Sequence, residues 1–140
     1  MKDFVTFEIA KNLKEKGFKE PCFGWYYPNE ICGYDYKTLI IHNRSACIFD
    51  KYEDLLILHN DDKHIDSPTI SQVVSWLLDK KKIFLTVDIE PMGFFYIVNY
   101  DMIINDNGKY EFESHTSNGT YTSPEEAYEC GIEYILNNLI

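Results

Sequence analysis

Arginine occurs once, at Arg44, among 13 basic residues, and 23 carboxylates outnumber those for a formal charge of −10. Guanidinium groups read guanine edges and clamp phosphates in a bidentate fork. Their near absence, on a chain that repels phosphate backbones and anionic lipid, disfavours nucleic acid as a partner. Also lacking is any apolar run near the length of a membrane span or the apolar centre of a signal peptide. The opening "MKDFVTFEIAKNLKEKGF" is charged throughout, so the chain is expected to be cytoplasmic and away from membranes. Four cysteines are present (Cys22, Cys32, Cys47, Cys130), but no C-x-x-C pair, and so no spelled zinc ribbon or dithiol centre. With 45% apolar residues in 140, a single domain over residues 1–140 needs neither disulfides nor metal to fold. Free and mostly buried thiols are expected. No Walker, Rossmann or Ser-His-Asp pattern, internal repeat or linker occurs, and no catalytic residue, cofactor or metal site is assigned.

What is present reads as an α+β domain. Thr6 caps a helix over residues 7–16 with Phe7, Ala10 and Leu13 at helical spacing and Gly17 as its C′ residue. Between Cys22 and Ile48, aromatic and β-branched residues broken by glycine and proline predict short strands or a long structured loop, with "KTLIIHN" the best strand. Residues 52–60 fit a strand or a short helix, and the polar "HNDDKHIDSP" (59–68) predicts a surface loop. Thr69 and Gln72 have capping-box spacing for a helix over 70–80 that docks through Val73, Trp76 and Leu77. "IFLTVDIE" alternates with Ile83, Leu85, Val87 and Ile89 on one face, "FFYIVNYDMII" and "KYEFESH" follow, and "NDNG" predicts a type I′ hairpin turn. A second capping box at Ser123 and Glu126 starts a last helix, with Ala127, Gly131, Ile135 and Leu139 as its buried stripe beside Cys130 and Tyr134. The expected architecture is an antiparallel sheet with helices largely on one face and a C-terminal α-β-β-β-α order.

That order is found in double-stranded-RNA-binding domains, which hold RNA through basic clusters on the second helix. Here that helix opens "SPEEAYECGIE", with four glutamates and no basic residue. Order of elements alone is a poor guide to function. Taken together, "LKEKGFKEPCFGWYY", "SPTISQVVSWLLDKKKIFLTVDI" and "TSPEEAYECGIEYILNNLI" resemble a family of short uncharacterised proteins from bacteriophages and gut bacteria. The resemblance spans most of the chain and implies a one-domain cytoplasmic or phage-encoded protein, without supplying any catalytic or binding residue.

The densest feature is "EPCFGWYYPNEICGYDY" (20–36), which carries Phe23, Trp25, Tyr26, Tyr27, Tyr34 and Tyr36. Neighbouring side chains on a strand point to opposite faces, so part of this set is expected near the surface. Phe23, Trp25, Tyr26, Tyr27 and Tyr34 are therefore candidate partner-contacting residues, the alternative being a two-sided strand packed into the core. His59, Asp61, Asp62, His64 and Asp66 form a ligand-rich loop that lacks an EF-hand spacing and reads as solvated. His42 and His115 read as structural histidines, and Cys22 is the best nucleophile candidate of a poor set. Three functions remain: a small interaction or regulatory protein with an acidic rim, an acidic mimic of nucleic acid, and an enzyme or small-molecule binder with a pocket among the aromatics. Oligomeric state is not legible.

Overall fold

The computed structural model describes residues 3–26, 39–41 and 65–140. They fall into two compact units, residues 4–68 and residues 69–140 together with the first three. In the first, helix α1 (Phe7–Glu15) starts where the Thr6 hydroxyl accepts the Ile9 amide at 3.4 Å. It ends in a Schellman turn: Gly17, at φ +88°, donates to the Lys14 carbonyl, and Phe18 donates to Leu13 at 3.0 Å. Phe7, Ile9, Ala10 and Leu13 are buried.

Three short strands complete this unit, β1 (Gly24–Tyr26), β2 (Leu39–Ile41) and β3 (Ile65–Ser67), with β1 in the middle and both pairings antiparallel. The β3 strand corrects the expected surface loop over 59–68, at least for its described end. Ile65 and Ser67 alternate inward around an exposed Asp66, and Ser67 and Pro68 are almost fully buried. Three residues are too few for a period of two to stand out beside a polar run. Residues 52–60 and 59–64 lie outside the described residues.

The second unit opens with helix α2 (Ile70–Trp76) under a complete capping box, Thr69 accepting from the Gln72 amide and Gln72 from the Thr69 amide. The expected single helix over 70–80 instead widens into a π-helical turn over Leu77–Lys81, closed by Lys82 in the left-handed region at φ 57°. The lysines here do more than complement a helix dipole. Lys81 lies over the Trp76 ring at 5.4 Å, and Lys82 Nζ donates to the Asp79 carbonyl at 3.0 Å.

Strands β4 (Phe84–Glu90), β5 (Gly93–Ile104) and β6 (Tyr110–Thr116) form an antiparallel meander in that order. The β5–β6 turn differs from the expected type I′. Of its residues only Gly108 has positive φ, at +74°, and its amide donates to the Asn105 carbonyl at 2.9 Å. Asn105 Oδ1 also accepts from the amides of Asn107 and Lys109, so the asparagine side chain organises a longer loop. A bulge follows the register from Tyr100 to Ile103, with Asp101 at φ 52°.

Helix α3 (Pro124–Asn138) takes its N-cap bond from Glu126 N to Ser123 Oγ. The expected reciprocal bond is replaced, because Glu126 Oε2 accepts from the amide and hydroxyl of Thr122. Its buried residues are Ala127, Gly131, Ile132, Ile135 and Leu136, so the stripe is broader than expected and Leu139 is only half-buried. A Cβ on Gly131 would stand 2.6 Å from Leu85 Cδ1 and 3.2 Å from the Tyr96 ring, which places α3 on the Leu85–Tyr96 side of the sheet. The molecule is thus α+β, with antiparallel sheets and the C-terminal α-β-β-β-α order.

Candidate interaction surface

Register decides which side chains of the meander share a face. Leu85 pairs with Val98, Val87 with Tyr96, and Val98 with His115, so these residues point toward α3. The residues between them point the other way: Phe84, Phe95, Ile97, Ile104, Tyr110 and Phe112 lie on the opposite face by the same alternation. Phe84, Ile104, Tyr110 and Phe112 are exposed, Tyr110 to 70% and Phe112 to 52%, while Phe95 and Ile97 are half-buried. Met102, beside the bulge, is exposed as well, while the exposed Ile103, opposite Glu111, and Ile89, in phase with Leu85 and Val87, stand on the α3 side. Large apolar groups concentrated on one sheet face mark binding surfaces, whereas single exposed ones carry no information. Asp88 and Glu90 continue this face along β4, both exposed, and residues 69–140 hold 11 carboxylates against four lysines.

The covered face has a different chemistry. The His115 ring stacks on Tyr134 at 3.8 Å, Tyr96 lies 5.9 Å from His115, and Tyr96 and Tyr121 stack at 6.2 Å. Burial, followed by a hydrogen bond with Cys130, pushes the Tyr121 hydroxyl up to about 12. Burial and the carboxylates of Glu133, Glu126 and Glu129 raise Cys130, against the Tyr121 bond that lowers it. Both groups stay protonated near neutral pH, so the cluster packs α3 on the sheet and holds no thiolate. Cys22 is raised too: burial first, then Asp66 and Glu20, pushes it up to about 12, and its thiol donates to the Glu20 carbonyl at 3.3 Å. Among the described residues no three His, Cys, Asp or Glu stand together as a metal site.

The candidate residues of the 20–36 stretch separate. Phe23 is 56% exposed, and Trp25 is half-buried in β1 opposite Ile40 and Asp66. Tyr26 is buried, its ring edge-on to Phe7 at 5.6 Å and its hydroxyl donating to the Val5 carbonyl at 2.8 Å. Tyr27 and Tyr34 lie outside the described residues. The alternation of β4 that faces α3 says nothing of the open face of the meander. The available signal was in β5, where "FFYIVNYDMII" is apolar in both phases although too few helices follow to cover two faces. No described helix is long and apolar enough to cross a membrane. The chain matches no protein-family model, no curated protein and no solved structure.

Proposed function

We propose that this chain is a small cytoplasmic interaction or regulatory protein of phage or mobile-element type, which binds a protein partner on the open face of the β4–β5–β6 sheet. The observation that carries the reading is the row of exposed apolar side chains, Phe84, Ile104, Tyr110 and Phe112, on the face away from α3. Aromatic bodies of this kind lose little entropy on contact and are enriched where binding energy concentrates. The acidic surroundings favour a partner with a basic rim, which a net charge of −10 would also steer into encounter. Phe23, with Trp25 beside it, is a second contact candidate from the aromatic segment.

The test is affinity capture from host lysate with the wild-type chain and with the Phe84→Ser/Phe112→Ser variant, both checked for an intact melting transition. A basic protein retained by the wild type and lost by the folded variant supports the reading. Equal retention by the two chains, or none by either, overturns it.

A further inference from the structure

Strand β6 ends its sheet, and among the described residues no strand pairs with its outer edge. Ser117 N donates inward to the Tyr96 carbonyl at 3.0 Å, and the register continues through Val98–His115 and Tyr100–Glu113. Hydrogen-bonding pairs alternate along an antiparallel ladder, so the amides and carbonyls of Phe112, Ser114 and Thr116 point outward. The side chains alternate in chemistry too: Tyr110 and Phe112 stand on the open apolar face, Glu111 and Glu113 on the other. All four are exposed, although Glu111 Oε1 accepts from Asn105 Nδ2 at 2.9 Å.

We infer that the β6 edge takes up an extended partner segment as a fourth strand, one that alternates basic residues, set beside Glu111 and Glu113, with apolar residues beside Tyr110 and Phe112. Main-chain bonds at Phe112, Ser114 and Thr116 supply affinity, and the alternation supplies selectivity. The inference rests on the interaction reading above and names its partner class. Two antiparallel registers of a second copy oppose like charges. Full-length antiparallel self-pairing centres Glu113 on Glu113, and centring on Phe112 sets Glu111 opposite Glu113; like charges directly opposed are unfavourable.

The experiment is amide hydrogen exchange of the full chain with an end-blocked peptide of about nine residues alternating lysine with valine, and with its counterpart carrying glutamate for lysine. The lysine peptide should slow exchange at Phe112, Ser114 and Thr116 by about tenfold or more, and the glutamate peptide should not. In the Glu111→Lys/Glu113→Lys variant, with an unchanged melting curve, the preference should reverse. Equal protection by both peptides, or an unreversed preference in the variant, overturns the inference. So does protection that grows with protein concentration alone, which would make a second copy the occupant. Perturbation of Phe84 and Ile97 without protection along β6 would remove the edge mode and leave the interaction reading standing; perturbation of neither would remove both.

Discussion

Val5 O accepts two hydrogen bonds, from the Tyr26 hydroxyl at 2.8 Å and from Ser67 Oγ at 3.2 Å, so removing one leaves the carbonyl satisfied. Tyr26→Phe should therefore cost only about 0.5–1.5 kcal/mol in urea unfolding, the net worth of one bond. Tyr26→Ala, which also empties a buried ring site against Phe7, should cost about 3–5 kcal/mol. A near-neutral Tyr26→Ala would contradict the burial. Cys22 makes a pH prediction. Its thiol lies above the ordinary value of 9.0, at about 12, so the folded state holds a proton that the unfolded chain releases first. Its stabilising contribution is present below pH 9 and is lost as pH rises from there toward 12. Alkylation of native Cys22 by iodoacetamide at pH 8.5 should accordingly be far slower than in the urea-unfolded chain; comparable rates would show a reactive thiolate. The rise at Cys22 was only partly legible in sequence: Glu20 lies two residues away, but burial, the largest cause, and Asp66, brought near by the β1–β3 pairing, come from the fold.

Element boundaries were readable wherever a local hydrogen bond sets them. Thr6 and Gly17 bracket α1, and Thr69 with Gln72 starts α2, because capping bonds join residues close in sequence. Thr69→Ala should lower stability by about 1 kcal/mol, seen as a lower Tm. Three features were not readable: the π-helical turn after Trp76, the bulge at Asp101, and the choice of Glu126 to accept from Thr122, four residues before it, in place of the Ser123 amide. Gly131 separates local from tertiary control. Alanine there gains about 1 kcal/mol of helix propensity, but its Cβ would press on Leu85, which is itself buried, and on the Tyr96 ring. Overpacking of this kind costs about 1–3 kcal/mol, so Gly131→Ala should be net destabilising; a rise in Tm would mean that α3 and the sheet are less tightly apposed.

At the scale of the molecule, the α+β class and the α-β-β-β-α order were legible from alternation and helical spacing, because a meander and its flanking helices are built from contacts close in sequence. The candidate surface was not, since exposure depends on which sheet face the helices leave uncovered. The stretch at 20–36 is dense in aromatics, yet Tyr26 serves the interior of its unit, while the open face is assembled from three strands of which only β5, apolar in both phases, carries a signal in sequence. Urea unfolding of the Phe84→Ser/Phe112→Ser variant beside the wild type reads whether this face lies free in the unbound chain. A free surface predicts a loss below about 1 kcal/mol with an unchanged m-value, as for substitutions outside a core. A loss of about 3–5 kcal/mol, the cost of emptying a packed aromatic site, would mean that the chain covers this face itself and that no partner docks there.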